Sequence, residues 1–252
     1  MTANDSVIVA AIQDNSFRKI MYPREKFGNS LDFEYVYITC EDEYNEILKL
    51  RHQAYSLAGK TPQGATYLDM KDQFDRDAVI VAAKSRGEIA GSVRIMFPNS
   101  GTMTEHGRFV EYPKEFPPVV QVAEVSRLCV APKFSGGGII YGLMTSMFIP
   151  ALTNGRRYIF SGAAGKLLNF YEKCGGQRTG IKYQNTDLAG LVHELMLWDI
   201  FDLVTAKNID AKHWKKLLSK ILAFIVENKF FPLNEQELSK IEEYKNLGLL
   251  KT

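Results

Sequence analysis

Hydrophobic and polar positions change their spacing several times along this chain, and each change marks an element. Residues 33–39 alternate, with aromatic and β-branched side chains, and read as a strand. Residues 43–57 switch to helical spacing. One stripe holds Tyr44, Leu48, Arg51 and Tyr55, and another holds Ile47, Leu50, Ala54 and Leu57. Arg51 therefore sits among apolar neighbours. After a loop over 59–70, residues 78–85 and 89–97 return to strand spacing around the polar turn Arg86-Gly87-Glu88, a hairpin signal. Pro113, Pro117 and Pro118 mark an irregular segment. A long strand over 119–130 runs into a glycine-rich turn at 135–138 and a helix over 139–152. A short strand at 157–160, a helix over 165–173 stopped by Gly175-Gly176, and a strand pair at 178–183 and 191–198 complete the body.

The tail changes character. From 209 to 227 the apolar residues Trp214, Leu217, Leu218, Ile221, Leu222 and Ile225 form one helical stripe, and a second helix over 235–247 ends at Gly248. The pattern predicts a mixed α/β (α+β) body over residues 1–205 with a C-terminal helical extension, 206–252, packed on it. Residues 7–12 read equally as a short strand or a helix end. No internal repeat is present.

The run 134–154 carries no charge in its 21 residues, long enough to span a bilayer. Its three opening glycines, Pro150 and moderate apolar content point instead to a loop and a buried helix, with no transmembrane span. Lys and Arg total 31 against 29 Asp and Glu, a net charge of +2. That balance argues against charge-driven nucleic-acid binding. The three cysteines and four histidines are scattered, so neither a structural zinc site nor a disulfide framework is expected, and no metal cofactor is predicted. The cysteine usage and the lack of a secretory pattern at the start point to the cytoplasm.

Candidate chemistry concentrates in VAEVSRLCVAPKFSGGG. A strand delivers Glu124 and Arg127, then runs into Lys133-x-x-Gly136-x-Gly138 at the start of a helix. Glycines allow backbone N–H groups to approach an anion, and the helix N-terminus adds partial positive charge. The turn reads as a phosphate cradle or as a plain tight turn. With LLNFYEKCGG downstream, the stretch from about residue 33 to 198 resembles the GNAT acyltransferase superfamily, whose sheet is mixed, mostly antiparallel and flanked by helices. Lys133 stands where that superfamily usually has Arg or Gln. The resemblance implies an acyl thioester donor held by Val130, Lys133, Gly136, Gly137, Gly138 and Asn169. It makes Tyr171 a proton donor to the leaving thiolate.

Four further motifs in order, LRHQAY, DQFD, GSVRI and EVSR, are similar to the autoinducer (acyl-homoserine-lactone) synthases and to FeeM-type long-chain N-acyl amino acid synthases. Their charged positions are Arg51, Asp72, Asp75, Arg94, Glu124 and Arg127. If these converge, they form a structural ion-pair cluster or a substrate site, since isolated buried charges cost several kcal/mol each. Arginine suits carboxylate recognition. Arg51, Asp72, Asp75, Arg94 and Arg127 are therefore candidate substrate-binding residues, Glu124 the candidate general base, directly or through water, and N–H groups near Cys129 and Val130 the candidate oxyanion donors. Cys129 as a nucleophile is disfavoured because no histidine lies at a recognisable partner position.

The resemblance implies an N-acyltransferase moving a medium- to long-chain acyl group from acyl carrier protein or CoA to the amine of an amino acid. The alternatives are lactone synthesis from S-adenosylmethionine and a non-catalytic acyl-thioester or lipid-binding module. An acidic carrier protein would dock on basic surface, for which Arg156, Arg157 and the Lys212, Lys215, Lys216, Lys220 face are candidates.

Overall fold

The computed structural model describes residues 26–27, 31–101, 104–135 and 138–246. The expectations at 7–12 and at Gly136, Gly137, Leu247 and Gly248 lie outside them. Seven strands form one sheet: β1 (Glu34–Tyr37), β2 (Val79–Ser85), β3 (Glu88–Met96), β4 (Val122–Val130), β5 (Tyr158–Ala163), β6 (Gln177–Asn185) and β7 (Leu191–Asp199). Their spatial order is β1-β2-β3-β4-β5-β7-β6. Every neighbouring pair is antiparallel except β4 and β5, which run parallel. This is the mixed, mostly antiparallel sheet expected.

The parallel pair holds together only briefly. Its register runs from Val122 opposite Tyr158 to Val125 opposite Ser161 and then ends, although β4 continues to Val130. One cause lies in β4 itself. Arg94 of β3 faces Ser126 and Ser92 faces Cys129, so two residues of β4 oppose one of β3. The extra residue is Arg127, at φ 54°. This is a β-bulge, which bends its strand and sharpens the local twist. Beyond it the edge of β4 facing β5 has no strand partner.

The helices cover both faces. Helix α1 (Glu41–Leu57) buries Ile47, Leu48, Leu50, Arg51 and Tyr55. Leu57, placed by spacing on an apolar stripe, is exposed at the last residue of the helix. Helix α2 (Ile139–Thr153) is buried almost all round, which explains its lack of charge. Gly138 caps it at φ 76°, in the left-handed region that favours glycine. No helix among the described residues is long and apolar enough to cross a membrane.

Helix α3 (Lys166–Lys173) follows β5, and α4 (Ile200–Val204) follows β7. The stripe expected to make one helix over 209–227 makes two: α5 (Ala211–Leu218) and α6 (Leu222–Glu227). The chain turns at Ser219–Ile221. All six stripe residues stay buried and pack with α2 and the sheet in one core. Thr145 of α2 also donates to the Leu217 carbonyl at 2.9 Å. Helix α7 (Glu235–Asn246) packs by Ile241 and by Tyr244 against Trp214.

Candidate active site at the parting of two parallel strands

Arg51 and Arg94 are 0 % exposed and Arg127 is nearly buried. Each is matched by acids. Arg51 grips both Asp75 oxygens, at 2.8 and 3.0 Å. Arg94 reaches Asp72 at 2.5 Å, Asp75 at 2.9 Å and Glu105 at 2.5 Å, and its Nε donates to Ser126 Oγ at 3.0 Å. Arg127 reaches Asp72 at 2.8 Å and Glu105 at 3.1 Å. Tyr44 donates to Asp75 at 2.7 Å. An unbroken strand would send Arg127 to the face opposite Ser126. The bulge rotates it back to the acids that also hold Arg94.

Burial alone would raise the Glu105 carboxyl, but the charges of Arg127 and Arg94 outweigh it and hold it well below the usual range. Asp75 behaves likewise: against its burial, Arg51 and Arg94 bring it to about 2. Asp75 and Glu105 therefore stay ionised at neutral pH, facing the guanidinium groups of Arg94 and Arg127.

The six residues expected to converge do so with one exchange. Glu124 is not in the arginine cluster, and Glu105 takes its place. Glu124 is 0 % exposed and accepts from the backbone N–H groups of Glu105, at 3.1 Å, and His106, at 2.8 Å. It also binds His106 Nδ1. The Gly162 N–H donates to His106 Nε2 at 2.8 Å, so Nε2 carries the lone pair and Nδ1 the proton directed at Glu124. Glu124 itself does not line the cleft where β4 and β5 part, whereas His106 does; Glu124 borders a separate concavity with Phe74, Met96 and Thr104.

Glu105 and His106 escape sequence reasoning because their segment has no periodicity. The available signal was an adjacent acid and histidine in an otherwise irregular loop, where functional side chains concentrate. Glu105, His106 and Glu124 are also close enough together to suggest a metal site. Their ligand atoms are already engaged by Arg94, Arg127, backbone N–H groups and one another, so the trio is a self-satisfied hydrogen-bond unit.

Where β4 and β5 part, a cleft opens. It is lined by Ser126 and Arg127 on one side and Ser161 to Ala164 on the other, with His106 and Tyr171 in its walls. His193 joins them, its Nδ1 bonded to the Leu191 carbonyl and its ring stacked on Tyr183. Burial lowers the His193 pKa, which keeps it neutral at pH 7. Tyr171 meets Trp198 edge to face, and burial raises its pKa, so it keeps its proton. Behind it lies an apolar hollow lined by Val125, Met144, Met147, Phe148, Ile159 and Trp198.

Val130 ends the unpaired edge of β4, and Gly138 heads α2. Lys133, on a turn of 3-10 helix, pairs with Glu88. Asn169 is exposed and accepts from Arg178 at 2.8 Å, and it does not line the cleft. Cys129 is buried, its thiol raised by desolvation and near Ser92 Oγ at 3.3 Å, which suits packing rather than attack.

No curated protein sequence matches the chain. Among solved structures, FeeM, an N-acyl amino acid synthase from uncultured soil microbes, shares the fold with a TM-score of 0.54 at 12% identity, over 70% of this chain and 96% of that one. TofI, in a ternary complex with an inhibitor and MTA, gives a TM-score of 0.52 at 16% identity, over 73% of this chain and 95% of that one. At such identities these likenesses speak to fold alone. The family model described as N-acyl amino acid synthase FeeM matches residues 46–190, from α1 past the end of β6. Because that match takes in the arginine cluster, the His106–Glu124 pair and the parting strands, and more than half of the chain, the protein belongs to the FeeM family of N-acyl amino acid synthases and is an acyltransferase.

Proposed function

We propose that the protein transfers a medium- to long-chain acyl group from a thioester to the amine of an amino acid, giving an N-acyl amino acid and a free thiol. The observation that carries this reading is the cleft between β4 and β5. It combines an unpaired strand edge, a buried acid–histidine pair and an adjoining apolar hollow in the fold of an acyltransferase family.

The donor's pantetheine arm carries two amides, and the free edge of β4 beyond Val125 offers backbone groups to pair with them, as an added strand would. Its phosphate end then lies toward the turn before α2, where Gly138 and the helix N-terminus favour an anion. The acyl chain enters beside Tyr171, where the hollow holds only about 10 Å³ at rest and widens as Met144 and Met147 change rotamer. The incoming carbonyl oxygen takes the Gly162 N–H that now binds His106, with N–H groups near Cys129 and Val130 as further donors. That exchange frees Nε2 of His106 to accept a proton from the amine, and Glu124 stabilises the resulting imidazolium. The acceptor's ammonium first gives one proton to solvent; its nitrogen then bonds to the carbonyl carbon and passes a second proton to His106 Nε2. The C–S bond breaks, Tyr171 protonates the departing sulfur, and the proton held on His106 returns by way of solvent to Tyr171.

For the donor we favour acyl carrier protein over CoA. Lys212, Lys215 and Lys216 are carried by α5, with Lys216 stacked over Tyr141 at 4.6 Å. The arginines drop out of this surface: Arg157 is paired with Asp199, and Arg156 is turned onto the Val119 and Val120 carbonyls.

Purified protein given acyl carrier protein or CoA thioesters and a pool of amino acids, with S-adenosylmethionine in a parallel arm, tests the reading by mass spectrometry. An N-acyl amino acid supports it. An acyl-homoserine lactone, or thiol release with no amide product, overturns it.

A further inference from the structure

The arginines expected to bind the acceptor's carboxylate have their anions already. Three guanidinium groups face three carboxylates, and each is bound to at least one of them. A substrate carboxylate placed among them would displace an acid and meet the repulsion of the others. A different cation stands beside this closed cluster. Helix α1 ends in a Schellman turn: Gly59 takes φ 66°, its N–H binds the Ser56 carbonyl at 3.0 Å, and the Lys60 N–H reaches back to the Tyr55 carbonyl at 2.8 Å. The turn fixes Lys60 in place. The loop that follows is tied to α1 by His52 Nε2 and the Ala65 carbonyl, 2.9 Å apart, and closed by a capping box between Thr66 and Asp69.

Lys60 lines two concavities at once. One is the inner cleft that holds Glu105 and His106. The other is an outer basin bounded by the loop from Thr61 to Ala65, and the two share Tyr55, Arg127 and Leu188. Among the described residues its ammonium has no carboxylate within ion-pair distance. Burial lowers its pKa with no anion to compensate. A half-buried, backbone-fixed lysine at the junction of two cavities, with no carboxylate partner among the described residues, is a site for an anion.

We propose that Lys60 binds the carboxylate of the acceptor, which makes that acceptor an α-amino acid held as its zwitterion. This rests on the amino-acid reading above and adds the residue that recognises it. The carboxylate meets Lys60 at the junction, and the ammonium points inward to the acid side, toward Glu105 and His106. The donor's phosphate is the other anion available. No described residue of the turn from Lys133 to Gly138, where the phosphate is placed, lines either concavity.

The test compares an α-amino acid with its carboxamide, which keeps the amine and the side chain but lacks the charge. Wild-type protein should favour the acid. Lys60→Met should raise KM for the acid roughly 10- to 100-fold, the loss of one charged hydrogen bond. KM for the carboxamide and for the thioester should stay near wild type. Lys60→Arg should recover much of the preference, and Lys60→Gln, which keeps a polar side chain, should behave like the Met variant. The proposal is overturned if the Met and Gln variants keep the wild-type preference for acid over carboxamide. It is also overturned if they raise KM for the thioester alone, which would assign Lys60 to the donor phosphate. Failure of the underlying reading looks different: wild-type protein then acylates neither acceptor, and both proposals fall.

Discussion

Glu124 and His106 are joined so closely that they should act as one unit. Glu124→Gln keeps the shape but weakens support for a charged imidazole, and His106→Gln removes the imidazole. Each is expected to lower kcat by about 10²- to 10⁴-fold with KM for the thioester little changed. The double variant should be no slower than the worse single one, as residues on one proton path are non-additive. Additive losses in steady-state kinetics would separate them and return Glu124 to a structural part. The ion-pair cluster makes a different prediction, for stability. Asp75 falls from 3.8 in the unfolded chain to about 2 in the fold. A depressed carboxyl stabilises the native state above its unfolded pKa and loses that stabilisation as pH falls through the folded one. The Asp75 contribution, about 2 kcal/mol, should be intact at pH 5 and above. It should decline from pH 4 toward pH 2, with Glu105 adding to the same trend. Urea midpoints measured at pH 6, 4 and 3 check it, and a flat series would contradict it.

Two elements set the cleft. The bulge at Arg127 puts a non-glycine residue at φ 54°, a conformation that costs roughly 1–3 kcal/mol. The ion pairs to Asp72 and Glu105 hold it there. Helix α2 supports the sheet from behind through a close approach at Gly142. A Cβ there would lie 2.0 Å from Tyr35 Cζ, and Tyr35 is itself fixed by donating to the Ile139 carbonyl at 3.2 Å. Gly142→Ala should therefore destabilise the protein by about 1–3 kcal/mol through overpacking. Differential scanning calorimetry would show a lower Tm, and an unchanged Tm would mean that the ring can step aside.

For the whole molecule, the tail matters most. Trp214, Leu217 and Leu218 are fully buried against a helix that has no charge of its own. Ending the chain at residue 205 should strip α2 of that cover and yield an aggregating or molten protein rather than a folded acyltransferase domain. A cooperative unfolding transition in the truncated chain would contradict this. Much of the architecture was legible in spacing alone. Alternation located every strand of the sheet to within a few residues, and the stripe through Arg51 announced a buried guanidinium before any partner was known. Three things were not legible. A positive φ at Arg127 leaves no trace in side-chain pattern. Glu105 and His106 occupy a segment without period. The turn at Ser219–Ile221 keeps the helical stripe that hides it, because both short helices bury the same side chains a single helix would.

The matched cluster and the solitary lysine beside it also set how this protein can change. Removing any one of Arg51, Arg94 or Asp75 strands an opposite charge in the interior, so drift there has to be concerted. Lys60 stands at a loop position with no such obligations. On the proposed role of Lys60, acceptor choice diverges by single replacements at the mouth of the cleft while the ion-pair cluster within it stays locked.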